Sequence, residues 1–193
     1  MRRRRPRRRL IAGLAAVTVM CVGLAAGLYW FQPWKLWQDQ TVTESLPGPV
    51  VEASSTPGTK PDANAGASSS PSAPSGPVTV ASGGLVSHEH PTTGTVKLVR
   101  LADGTHVIRL ERLDTSNGPD LRVWLTDAPV KEGRAGWHVF DDGAYVSLGK
   151  LKGNKGSQNY PLPDDVDPSR YTSVTVWCDR FDVSFGAAAL TAT

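Results

Sequence analysis

Residues 95–113 read TVKLVRLADGTHVIRLERL, and the fold class turns on them. In the second half Ile108 and Leu110 fall on one side while Arg109 and Glu111 fall on the other, the period of two of a half-buried strand. Between the two apolar runs stands ADGT, and Asp103-Gly104 tolerates the positive φ of a tight hairpin. An antiparallel hairpin, 95–101 against 106–113, is therefore expected. The texture continues through LRVWL (121–125), AYVSLG (144–149), SVTVWC (173–178) and DVSFGAA (182–188). In LRVWL, Leu121, Val123 and Leu125 share one face, with Arg122 and Trp124 opposite. Turn-forming clusters punctuate the runs: NGPD (117–120), DDG (141–143), GNKG (153–156) and LPDDVDP (162–168). No stretch of useful length in this region has a helical period, and no internal repeat is visible. The prediction is an all-β domain over residues 83–193, an antiparallel β-sandwich or partly open barrel, long enough for one hydrophobic core.

Upstream the chain changes character twice. Residues 38–82 hold seven prolines and nine serines with no sustained hydrophobic period. This Pro/Ser/Ala-rich stretch is expected to be a disordered linker that holds the domain off whatever precedes it, on the order of 35–40 Å for a flexible coil. Residues 10–31, LIAGLAAVTVMCVGLAAGLYWF, carry no charge. As a helix they reach about 33 Å, enough for a ~30 Å hydrocarbon core. Tyr29, Trp30, Phe31, Trp34 and Trp37 crowd the outer end like an interfacial aromatic belt. A cleaved signal peptide also begins with basic and apolar runs. The length of this run, the aromatic cluster and the lack of a clear A-x-A site favour a retained signal anchor.

Residues 1–9 include seven arginines and no acid, so the positive-inside bias keeps this basic segment in the cytoplasm. The expected location is the cell membrane, single-pass, with the C-terminal domain extracytoplasmic. The net charge of +3 belongs to the anchor, since residues 83–193 hold twelve Lys plus Arg against fourteen Asp plus Glu. That balance gives no nucleic-acid footprint.

The chain has two cysteines. Cys21 lies inside the apolar span and Cys178 in the outer domain, so they cannot approach within the roughly 7 Å a disulfide needs. Cys178 is left as an unpaired thiol, an intermolecular disulfide partner, a ligand, or a buried core residue. Val174, Val176 and Cys178 share the expected core face, with Thr175 and Trp177 on the other. Arg180 falls on the side of Cys178 if the strand continues. His88 and His90, in HEH, share one side of an extended segment. Soft sulfur with imidazole suits copper, zinc or haem iron, provided folding brings them together. His106 and His138 read as surface residues. The loop LGKLKGNKGSQNY (148–160), with Lys150, Lys152 and Lys155, reads as a solvated hairpin tip or as a site for an anion or glycan. Gly-x-Ser-x-Gly, Walker A, His-Glu-x-x-His, Cys-x-x-Cys and c-haem signatures are absent, which argues against a stand-alone enzyme.

GGLVSHEHPTTGTVKLV, TSNGPDLRVWL, LGKLKGNKGSQNYPLP and YTSVTVWCDRFDVSFGAAAL occur in this order. Together they resemble the DM-thirteen family, a β-rich extracytoplasmic electron-transfer module, over about residues 83–193. The resemblance implies that Cys178 is the redox residue, with haem or a metal as a possible ligand partner, and that electrons come from a separate redox protein. Two functions follow as expectations. One is a membrane-anchored redox module using Cys178, with His88 or His90 as second ligand and haem or copper as cofactor. The alternative is a non-enzymatic surface module that recognises glycan, cell-wall polymer or a partner protein through the Gly/Lys loop. A dimer joined through Cys178 is a third.

Overall fold

A computed structural model of the chain describes residues 5–48 and 76–193. Residues Arg5–Phe31 form one helix, α1, of 27 residues. Its most apolar window has a mean hydropathy of 2.2 and none of it is buried against the protein. At ~1.5 Å per residue it is long and apolar enough to cross a bilayer. It stops where Gln32 turns left-handed (φ 44°) and Pro33 opens a short 3-10 turn, Pro33–Trp37. Proline lacks the N–H that another helical turn would need.

Eleven strands follow among the described residues: β1 (Thr41–Thr43), β2 (Val78–Gly84), β3 (Val86–Ser87), β4 (Thr93–Arg100), β5 (His106–Asp114), β6 (Leu121–Thr126), β7 (Tyr145–Lys150), β8 (Lys155–Pro161), β9 (Ser173–Cys178), β10 (Val183–Ala189) and β11 (Thr191–Ala192). The hairpin at 95–113 forms as expected, β4 pairing antiparallel with β5 so that Leu98 lies opposite Ile108. Its turn is fixed locally. Gly104 has φ +88°, and Asp103 Oδ1 accepts from the Thr105 amide at 2.9 Å and hydroxyl at 2.7 Å.

The strands make two sheets, ordered β1-β8-β5-β4-β2-β11 and β3-β10-β9-β6-β7. Every pairing is antiparallel except β1 with β8. Val96, Leu98, Ile108 and Leu110 from the first sheet and Val123, Leu125 and Val174 from the second share one buried cluster, which makes the fold a β-sandwich. The second sheet is also buried on its outer face. Residues 127–144, between β6 and β7, fold back over it and seat Ala128 and Phe140 on Trp124 and Trp177. Trp177 is therefore fully buried, although Thr175 and Trp177 were expected on the non-core side.

The linker differs most from its expected form. Residues 49–75 lie outside the described residues, but both ends of the expected 38–82 stretch are strands. Thr41–Thr43 pair in parallel with Lys155–Ser157 of β8, and β2 pairs along β4 with Val78 opposite Arg100. Pro47 and Gly48 border the same surface hollow as Leu101, Ala102 and Asp103. The segment thus leaves and re-enters the domain beside one hairpin turn. It does not stand between the domain and α1, because β1 is already part of the sandwich. Alternation over only three or four residues, TVTE and VTVA, was too short to stand out against the surrounding proline and serine.

Candidate functional site

Cys178 ends β9. The next residues turn back at once, the Phe181 amide donating to the Cys178 carbonyl at 3.2 Å and Asp182 taking φ +49°. Cys178 pairs with Val183 on one side and Leu121 on the other. Val176 and Phe185 complete the shell, and the residue has no solvent exposure. Burial pushes the thiol pKa up. The backbone amides of Arg180, Phe181 and Asp120 pull it down, and the Asp120 carboxylate adds to the upward push. The sulfur is a neutral thiol in an apolar pocket, not a nucleophilic thiolate. A disulfide between copies through Cys178 is closed to the folded domain.

Arg180 does not supply a cation to the sulfur, as its place in an extended strand would allow. The chain turns before it, and its guanidinium donates to the Trp30 carbonyl at 2.6 Å and lies over the Trp30 ring at 5.2 Å. Asp120, read from sequence as a turn residue, is instead part of the thiol's surroundings. Its carbonyl accepts from the Asp179 amide at 3.0 Å, and its Oδ1 is buried with no hydrogen-bond donor among the described residues.

The two histidines of HEH part company. His90 tilts against Phe185 at 4.1 Å between ring centroids, and its Nε2 meets Glu89 Oε2 at 2.8 Å. Phe185 therefore touches both the Cys178 cluster and the His90 ring. Beyond lies a cavity of about 330 Å³, bordered by His90, Glu89, Phe185, Phe181, Pro119 and Phe31. His88 sits on the opposite, outer face. Its Nδ1 lies 2.7 Å from Ser184 Oγ and its Nε2 3.0 Å from the Lys131 carbonyl, so both nitrogens are engaged. The carbonyl can only accept, which assigns the proton to Nε2. Burial lowers the His88 pKa, opposed by the Lys131 carbonyl. Outside this region, His106 opens β5 and His138 Nδ1 meets the Asp182 carbonyl.

These positions bear on the expected ligand set. Cys178 and His88 lie on opposite faces of one sheet, and Cys178 and His90 each pack against Phe185. No group of three His, Cys, Asp or Glu side chains among the described residues has a metal-holding arrangement. A haem or copper ion held jointly by Cys178, His88 and His90 does not fit this fold.

The Gly/Lys loop is also committed. It leads into β8, and the buried Gln158 clamps it, donating to the Gly153 carbonyl at 2.7 Å and accepting from the Lys152 amide at 3.1 Å. Two of its three lysines face the segment after α1: Lys152 Nζ meets Glu44 Oε1 at 2.8 Å, and Lys155 Nζ meets Asp39 Oδ2 at 3.0 Å, whereas Lys150 Nζ lies 4.0 Å from Asp120 Oδ1. Asn154 holds Asp39 and the Gln40 amide. The glycines make room, since a Cβ on Gly153 would collide with the Gln40 carbonyl and one on Gly156 with the Val42 carbonyl. The loop that reads as a site for an external anion or glycan is thus filled by the chain's own tether. Asp39 and Glu44 were not singled out from sequence, and their contact with a loop over 100 residues away has no local signal.

No curated protein and no solved structure matches the chain. A family model described as Electron transfer DM13 matches residues 84–190, from the end of β2 to just before β11, and takes in Cys178, His88 and His90. The match covers more than half of the chain and nearly the whole sandwich, and on that ground the protein belongs to the electron transfer DM13 family.

Proposed function

We propose that this chain is a membrane-tethered, extracytoplasmic electron-transfer module whose redox group is the Cys178 thiol. The observation that carries the reading is the placement of Cys178 within an electron-transfer family domain. It is unpaired, shielded from water, and one ring away from a cavity that borders the outer end of α1. A sealed neutral thiol cannot exchange disulfides, but it can give up one electron and one proton without leaving its pocket. The partner is a separate one-electron acceptor that docks over the Phe185–His90 edge. Asp120 is the proton acceptor, because its Oδ1 is buried without a donor. α1 is the anchor, with the arginine block on the cytoplasmic side.

The test uses the full chain in detergent micelles, titrated with a one-electron metal-complex oxidant and trapped for electron paramagnetic resonance. A sulfur-centred radical is expected in the native chain, with one fewer oxidising equivalent consumed by Cys178→Ser. Equal consumption by both chains would refute the role of the thiol. The same preparations mixed with haem or copper should develop no thiolate-to-metal band.

A further inference from the structure

The outer face of the second sheet carries an aromatic array that the thiol reading leaves unused. Tyr145, Trp124 and Trp177 come from the neighbouring strands β7, β6 and β9. Trp124 lies opposite Ser147 and Thr175, while Tyr145 lies opposite Thr126 and Trp177 opposite Arg122. The ring contacts are therefore diagonal, an offset that large side chains on one face of a sheet still bridge. Tyr145 stacks on Trp124 with centroids 4.0 Å apart and planes 8° from parallel. Trp124 stacks on Trp177 at 5.0 Å and 24°. Tyr145 is 44% exposed and Trp177 is fully buried, so the stack runs from solvent to a ring sealed beneath residues 127–144. Its inner ring belongs to the residue bonded to Cys178.

A second observation concerns the indole nitrogens. Nε1 of Trp124 and Nε1 of Trp177 are buried with no acceptor among the described residues, as is Nε1 of Trp137, which is not in the stack. A buried indole N–H usually finds a partner, and leaving one unmet is costly. Such an orphan calls for an explanation, and a redox role is one. An oxidised indole is a strong N–H acid. Where an acceptor stands ready it loses the proton, and the oxidising equivalent is trapped as a neutral radical. Without an acceptor the radical cation survives to take an electron from the next ring. Tyr145 is the opposite case, because its exposed phenol can release a proton to water when oxidised.

We infer that Tyr145, Trp124 and Trp177 form a relay that carries single oxidising equivalents between the domain surface and the strand holding Cys178. The electron count closes as follows. A high-potential, metal-centred one-electron oxidant at the exposed edge of β7 gains one electron from Trp124 across the Tyr145 ring stacked on it. Trp177 refills Trp124, and the Cys178 thiol refills Trp177. The thiol loses one electron and passes its S–H proton to the Asp120 carboxylate, ending as a thiyl radical, while both indoles end unchanged. When the thiol is absent, the equivalent settles on Tyr145, whose phenolic proton goes to solvent. Only the inner end of this relay rests on the proposed role of Cys178; the rings themselves do not.

The experiment photogenerates ruthenium(III) tris-bipyridine with a sacrificial cobalt(III) quencher in the full chain in micelles. A background of Tyr29→Phe, Trp30→Phe, Trp34→Phe and Trp37→Phe removes the oxidisable rings near the end of α1. Transient absorption reads the phenoxyl and indole radicals, and peptide mass spectrometry reads sulfur oxidation. With Cys178→Ser, a phenoxyl signal is expected that Tyr145→Phe abolishes and replaces with an indole radical cation. With Cys178 present, Trp124→Phe, which keeps a ring in the stack but removes the oxidisable indole, should cause a loss of sulfur oxidation. Sulfur oxidation undiminished by both Trp124→Phe and Trp177→Phe would overturn the relay and leave the thiol reading standing. Ring radicals in Cys178→Ser with no sulfur oxidation in its parent would uphold the relay and sink the thiol reading.

Discussion

At the scale of single residues, Cys178 and His88 show how burial sets chemistry. The Cys178 thiol is kept protonated by an apolar shell of Leu121, Val176, Val183 and Phe185. In a Cys21→Ser background, a water-soluble alkylating reagent should leave the folded chain unlabelled over the time in which the denatured chain labels fully. Comparable rates would mean that the pocket opens to solvent. His88 is buried in its neutral form, with its folded pKa held below the ordinary value of about 6.5. The unfolded chain therefore binds more protons between the lowered pKa and about 6.5, so acid favours unfolding in that window. The contribution is fully present above pH ~6.5 and is lost as pH falls through the folded pKa. The thermal midpoint should drop below pH ~6.5, and His88→Ala should remove that component of the slope. His88→Ala should itself cost roughly 2–3 kcal/mol by urea unfolding, since it empties a packed site and takes a donor from the Lys131 carbonyl, while Ser184 keeps Thr175 as partner.

At the scale of elements, β1 is the addition that changes the reading of the molecule. It caps the β8 edge, which would otherwise present unpaired backbone groups. Its hold combines parallel pairing to Lys155–Ser157 with Glu44 and Asp39 on the loop lysines. Gly156 is the position that admits it, having φ +98° and no room for a Cβ beside Val42. Gly156→Ala should destabilise the domain by roughly 1–3 kcal/mol in urea unfolding, from the strained φ and the displaced strand. An unchanged midpoint would show that β1 is not docked in solution. Glu44 adds a pH dependence of the opposite kind to a lysine. The hydrogen bond from Lys152, joined by the Asn159 amide, holds its carboxyl pKa below the ordinary value. Its contribution is present above the ordinary carboxylate range and is lost as pH falls through the lowered pKa.

At the scale of the whole molecule, the thiol end of the sandwich rests on the outer end of the apolar helix. Arg180 meets the carbonyls of Tyr29 and Trp30, Phe181 stacks on Phe31 at 5.8 Å, and Lys35 donates to the Pro119 carbonyl. The long Pro/Ser/Ala-rich segment begins and ends beside the β4–β5 turn, so its length does not set the height of the domain above α1. Replacing residues 49–75 with about half as many Gly and Ser should leave the fold intact. It should raise stability by about 0.6 kcal/mol, the loop-closure gain for halving a connecting segment. Calorimetry of the shortened chain checks this, and a marked loss of stability would mean that the segment spans a wider gap.

Local patterns made much of this protein legible from its residues alone. Period-two alternation and an Asp-Gly turn marked β4 and β5, similar runs marked β6, β7, β9 and β10, and an uncharged run marked α1, because each signal is carried by neighbours in sequence. The thiol at the end of a buried strand could be read the same way. Three things depended on segments distant in sequence and were decided only by the tertiary structure. Residues 127–144 cover the outer face of β9, and that cover buries Trp177 and holds His88 on the face opposite Cys178. The polar KGSQNYP becomes a strand because β5 and β1 pair with its two edges. Lys152 and Lys155 are neutralised by the acids that flank β1. Pairing and covering are long-range events, and a residue's own neighbours carry no record of which distant strand or loop will complete its surroundings.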